Sequence, residues 1–143
     1  MNREALGLVL IRVFMGGWFL WAGIPKLKTA FRTEQLAGML QYFAEQGAFS
    51  FYKGFLAWAA GHTTLFGYLT SWGEVATGLA LIFGFATPLA SVAAIFMCLN
   101  YFLATQGLGP APIGLNLFCV VAGISLLVGR AGRYFGLDSK IWK

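Results

Sequence analysis

Two long apolar runs of this chain each carry a single charged side chain, Arg12 in one and Glu74 in the other. A charge held away from water is costly, about 3 kcal/mol on insertion scales, so such residues turn inward and find partners. A buried carboxylate beside a cation is also a place to hold or release a proton, because burial raises its pKa and the cation lowers it. Two further apolar runs each carry one asparagine deep inside, Asn100 and Asn116. Counted inward from the side of the chain termini, Glu74, Asn100 and Asn116 fall at nearly one depth. Arg12 starts about four residues lower, roughly 6 Å, within reach of its long side chain. The spacing predicts a buried Arg12–Glu74 ion pair as the candidate catalytic, proton-handling group, with Asn100 and Asn116 as hydrogen-bonding neighbours that can meet a substrate. A purely architectural role stays open: an internal ion pair also orients helices and fixes their register, and the asparagines also serve as hydrogen bonds between helices.

The elements that must position these groups are four runs of about 20 largely apolar residues, the length of a membrane-spanning helix. They cover 5–24, 64–85, 87–106 and 110–129. Ala86-Thr87-Pro88 and Gly107-Leu108-Gly109-Pro110 are tight turns, and links this short make the last three helices antiparallel neighbours. The expected fold is an all-α integral membrane protein, a single domain over 1–143, built as a four-transmembrane-helix antiparallel bundle. Each helix offers a stripe of small and polar residues of the kind that membrane helices pack with. The stripes are Arg12, Gly16, Phe19, Gly23 and Lys26; then Thr70, Glu74, Thr77 and Gly78; then Ala93, Met97, Asn100 and Ala104; and last Pro112, Asn116, Cys119 and Gly123. Arg12 interrupts the first run and no A-x-A site follows it, which argues against a cleaved signal peptide.

Composition agrees. Of 143 residues 59% are hydrophobic and only 10% charged, against about 25% charged in a soluble domain. The net charge of +5 comes from basic residues that flank the apolar runs, where snorkelling anchors sit, so nucleic acid is not an expected partner. Two cysteines, one histidine and no C-x-x-C pair leave no ligand set for a metal or a covalently held cofactor. Cys98 and Cys119 lie at similar depth, but Cys98 is about 200° around its helix from Asn100, so both read as buried small apolar groups. Trp18, Trp21 and Trp72 read as packing and interface anchors rather than as a cage for a ligand.

The connection between the first two runs is the largest part outside the membrane. Thr33 is a candidate helix cap, and Leu36, Met39, Leu40 and Phe43 recur at helical spacing before Gly47. Segment 30–60 is therefore expected to be amphipathic and interfacial, its first helix lying on the membrane surface and partly covering the mouth of the bundle. Lys26, Lys28 and His62 end the first run and begin the second, so they are expected to converge at that mouth, either as binding groups for an anion or, on the plainer reading, as headgroup anchors of the helix end (the lysines) and a solvated cap residue (His62). Five basic residues (Arg3, Arg130, Arg133, Lys140, Lys143) lie on the side of the termini and four (Lys26, Lys28, Arg32, Lys53) opposite. The positive-inside rule then places both termini in the cytoplasm of a cell (inner) membrane.

The same residues carry a family resemblance. Arg12-Val-Phe-Met-Gly16-Gly17 through Ala22-Gly23-Ile-Pro-Lys26-Leu27, and Gly73-Glu74-Val-Ala-Thr-Gly78-Leu-Ala-Leu-Ile-Phe-Gly84, resemble the DoxX family of small four-helix membrane proteins. Phe51-Tyr52-Lys53-Gly54-Phe55-Leu56 and Gly132-Arg133-Tyr134-Phe135-Gly136-Leu137-Asp138 are closer to its DoxD branch. The resemblance implies a membrane subunit in oxidation of thiosulfate to tetrathionate, with electrons passed to a quinone and an extracytoplasmic subunit assisting. Lys26, Lys28 and His62 would then meet the anion, while a quinone would enter from the lipid toward Glu74, Asn100 or Asn116. The alternative is a non-catalytic accessory subunit that stabilises a larger membrane complex.

Overall fold

The computed structural model describes residues 3–28 and 31–141, with only the backbone described at Arg32 and Thr33; the capping role expected of the Thr33 side chain therefore lies outside the described residues. Among these the chain is helical apart from short turns, without a strand. The long helices are α1 (Arg3–Gly23), α4 (Thr63–Phe83), α5 (Thr87–Thr105) and α6 (Pro110–Val128). They lie within two residues of the expected runs at both ends. The shorter α2 (Leu36–Tyr42) and α3 (Lys53–Ala60) occupy the long connection, and α7 (Asp138–Ile141) ends the described chain. Three segments are long and apolar enough to cross a membrane: Arg3–Leu27, Thr87–Leu108 and Pro110–Val128. Helix α4 has the same 21 residues as α1 but carries Thr63, Thr64, Thr70, Ser71, Glu74 and Thr77. It can do so because it packs between α1 and α5, with Ser71, Glu74 and Thr77 buried. Helix α5 in turn packs on α6, and α6 meets α1.

Two glycines set how α1 crosses α4. A Cβ on Gly16 would stand 2.8 Å from the Gly78 carbonyl oxygen, and one on Gly78 would stand 2.8 Å from that of Gly16. The two backbones touch there, as in other small-residue contacts between membrane helices. The contact places Gly23 beside Glu74, where a Cβ would come within 2.8 Å of the Glu74 Cβ.

The α4–α5 turn is closed from far along the chain. Ala86 adopts a left-handed φ of 46° before α5, and Pro88 removes a donor from the first helical turn. The amides of Ala86 and Thr87, which have no partner within the helix, donate to Asp138, at 2.7 Å to Oδ1 and 2.8 Å to Oδ2. A carboxylate some 50 residues downstream thus does the work of a local N-cap.

The connection between α1 and α4 departs from expectation. Its helical stretch begins and ends in wide π-type turns, Phe31–Gln35 and Phe43–Gly47, around α2. Leu36 and Leu40 are buried against Leu56 and Ala59 of α3, with Met39 and Phe43 packed at the edge. The apolar face expected to lie on the membrane is spent inside the protein, because α3 offers a second apolar face for it to pair with. The Phe49 amide donates to the Leu103 carbonyl at 3.2 Å, which fastens this hairpin to α5.

Candidate functional site

Glu74 is 1% exposed, and the cation that meets it is Lys26. The ammonium lies 2.6 Å from Oε1 and 2.7 Å from Oε2. The sequence places Lys26 there by a short path: Gly23 lets α1 run close to α4, and Pro25 turns the chain into one 3-10 turn, Ile24–Leu27. The buried Ser71 hydroxyl then bonds the Lys26 carbonyl at 2.8 Å and that of Gly67 at 2.6 Å, pinning the turn to α4. From α5, Tyr101 donates its hydroxyl to Glu74 Oε1 at 2.5 Å. The Lys26 ammonium also stands 5.6 Å from the Tyr101 ring centre and 5.8 Å from that of Phe31, within cation–π range. Glu74 therefore has three supports: a charge, a phenol and close glycine packing.

Beside this triad lies a cavity of about 490 Å3, roofed by α2 and α3 and walled by α4 and α5. Its surface is mostly apolar, with Met39, Leu56, Phe66 and Met97 on the walls, and Lys26, Tyr101, Asn100 and Tyr52 among its few polar groups. Tyr52 donates to Asn100 Oδ1 at 2.5 Å, and Asn100 donates to the Phe96 carbonyl at 2.7 Å. Burial pushes the Tyr52 phenol above its ordinary pKa, so it stays a donor. Leu69 and Phe96 line the cavity and yet are exposed on the outer face of α4 and α5, at 59% and 67%. The space therefore reaches the side of the molecule that three apolar spans assign to lipid. An apolar cleft of this volume with a few convergent polar groups is the usual form of a small-molecule site.

The expected Arg12–Glu74 pair is not formed. Arg12 is 1% exposed and gives its guanidinium to three carbonyls of the C-terminal tail: Ala131 at 2.8 Å, Tyr134 at 3.0 Å and Phe135 at 3.1 Å. The helices do not end level, as that pairing requires. With Gly16 against Gly78 and Gly23 against Glu74, α1 and α4 are staggered, and Arg12 falls about 16 Å below Glu74 along the helix. It sits at the α4 end instead, where a Cβ on Gly84 would meet its Nη1.

The other expected groups separate in the same way. Asn100 is on the cavity wall. Asn116 is not; it donates to the Pro112 carbonyl at 2.8 Å and approaches the Thr105 hydroxyl at 3.4 Å, tying α6 to the end of α5. Of Lys26, Lys28 and His62, only Lys26 reaches the cavity. Lys28 is exposed, and His62 Nδ1 lies 2.8 Å from the Trp58 carbonyl, its ring centre 4.9 Å from that of Trp58 and tilted by 40°. The expected three-residue mouth is therefore replaced by an inward-facing lysine, because the buried carboxylate holds its ammonium. Trp18, Trp21 and Trp72 stand on the outer surface, away from the cavity. Cys98 and Cys119 are free and buried in the core between α5 and α6. Tyr101, Tyr52 and Ser71 join the site although none is among the expected groups. Tyr101 follows Met97 by four residues and so shares its face, a signal that was present. Tyr52 and Ser71 carry none that separates them from neighbouring aromatic and hydroxyl residues.

No curated protein and no solved structure matches the chain. The profile of the DoxX family matches residues 7–107, which include most of α1, the whole roofing hairpin, α4, α5, and with them Lys26, Glu74, Tyr52, Asn100 and Tyr101. The chain is therefore a member of the DoxX family, a membrane protein whose family-defining stretch is the part that builds the cavity and its ion pair.

Proposed function

We propose that this protein is a quinone-interacting membrane subunit and that the cavity beside Lys26–Glu74 receives the quinone head group. The observation that carries this reading is the pairing of an apolar, laterally reached cavity of about 490 Å3 with a polar end made by Lys26, Tyr101, Asn100 and Tyr52. The hydrogens left free there, on the Lys26 ammonium and the Asn100 amide, suit the carbonyl oxygens of a quinone. When bound, a quinone supplies an acceptor for two electrons and two protons. In this reading the chain's own residues bind and position: the third ammonium hydrogen of Lys26 and the second amide hydrogen of Asn100 face the ligand, Tyr101 and Glu74 hold the lysine in place, Glu74 stands ready to take a proton, and the α2–α3 roof excludes water. Helix α4 crosses the bilayer with the other three, shielded by α1 and α5, and both termini face the cytoplasm of the cell membrane. The likeness to the DoxD branch extends the proposal to thiosulfate as electron donor, through a partner subunit.

The test is extraction of the purified full-length protein and quantification of quinone by mass spectrometry. Near-stoichiometric quinone is expected, falling several-fold in Ala93→Phe, which fills the cavity from its wall. Quinone at the level of bulk lipid in both proteins, together with a stoichiometric co-purifying protein, would overturn this reading in favour of an accessory subunit.

A further inference from the structure

The opposite end of the molecule has a cavity of its own, of about 400 Å3, between the start of α5 and the loop that follows α6. Thr87, Arg130, Arg133 and Asp138 line it, with Leu126 and Leu127 on its apolar side. Thr87 is 1% exposed, and its Oγ1 has no hydrogen-bond partner. Folded proteins rarely leave a buried hydroxyl in that state without a reason. Arg130 holds a left-handed φ of 48°, which a residue with a side chain adopts at a cost. Arg130 and Arg133 are both exposed at the cavity, and among the described residues neither pairs with a carboxylate. Asp138 does not cancel them. Its two oxygens are occupied by the Ala86 and Thr87 amides, and the buried Arg12 charge acts on it.

We infer that this cavity is a binding site for a phosphate-bearing anion, and that an anionic glycerophospholipid is the source its walls favour. Thr87 Oγ1 donates to a phosphate oxygen, Arg130 and Arg133 supply the charge, and Leu126 and Leu127 receive the glycerol end of the acyl chains. The location suits a headgroup, since one apolar span begins at Thr87 and another ends at Val128, the level at which lipid phosphates meet basic side chains. This site is independent of the quinone cavity.

The experiment follows binding to the full-length protein in neutral detergent by its thermal shift, using phosphatidylglycerol, phosphatidylcholine and inorganic phosphate as separate probes. Phosphatidylglycerol is expected to bind at least about tenfold tighter than phosphatidylcholine, and Arg130→Gln with Arg133→Gln to weaken it by about 30-fold. Thr87→Val should weaken it several-fold, with Thr87→Ser restoring it, while Lys53→Gln on the far side leaves it unchanged. A shift with inorganic phosphate alone that equals the lipid's, and is lost in the double arginine variant, would uphold the anion site and assign it to a soluble phosphate compound. Equal shifts with the two lipids, or equal losses in Lys53→Gln and the arginine variant, would overturn the site.

Discussion

The molecule turns two cations from the same stripe of α1 and its continuation inward, Arg12 fully buried and Lys26 half-buried, and treats them in opposite ways. Among the described residues Arg12 meets no carboxylate in direct contact; its guanidinium is spent on three backbone carbonyls of the tail, and the tail in turn caps α5 through Asp138. That end is a clasp that ties the first helix, the α4–α5 turn and the chain after α6 into one unit. Lys26 lies four turns further on, meets the carboxylate of Glu74 directly, and borders the larger cavity. A guanidinium, with a planar fork of five donors, can serve several carbonyls at once; an ammonium is a compact charge that settles on one anion. The choice of Arg at the clasp and Lys at the cavity follows that difference. A buried charge thus marks a possible site only when something beside it is left open.

The comparison can be broken first at the clasp. Arg12→Met should cost about 3–5 kcal/mol, since it strands three carbonyls and leaves Asp138 without its nearby cation. The loss is read as a lower unfolding temperature in detergent and lower abundance in membranes. Combined with Glu74→Met, the effects should add to within about 0.5 kcal/mol, as expected for groups well apart; strong coupling would place the two in one pair and refute the stagger of α1 and α4.

A smaller effect is expected at the cavity. Glu74→Gln leaves Lys26 without its anion, but the lysine side chain is 23% exposed and can move its head toward water, so about 1–3 kcal/mol should be lost. Here the second change should rescue the first. Lys26→Met in the Glu74→Gln background is expected to recover most of the stability, measured by the same unfolding, whereas Lys26→Met alone should be damaging because it strands the carboxylate. Independent effects would mean that Lys26 does not neutralise Glu74.

The smallest expected change sharpens the account of the polar rim. Tyr52→Phe removes the bond to Asn100 and should cost about 0.5–1.5 kcal/mol. It should also weaken retention of a cavity ligand, because it loosens the roof over Asn100. A loss above about 3 kcal/mol would make Tyr52 a structural pillar on the scale of Arg12.

Local patterns in the sequence carried a good deal of this. Runs of apolar residues at membrane length, broken by Gly and Pro, marked the long helices to within two residues, since helix length and its stops are written in adjacent residues. The face that carries Arg12, Gly16, Gly23 and Lys26 was legible from 3.6-residue periodicity, as was the face of Ala93, Met97, Asn100 and Ala104, which lines the cavity. That Glu74 must find a cation followed from the cost of burying it. Which cation it finds did not follow. Two basic residues on one stripe compete for it, and the choice depends on how far α1 slides along α4. The Gly16–Gly78 backbone contact sets that slide, together with a tail that claims Arg12 from more than a hundred residues away. Helix register is a property of two surfaces fitted together, and one helix read alone contains only half of it; the partner of Glu74, and with it the position of the cavity, was decided in the tertiary structure.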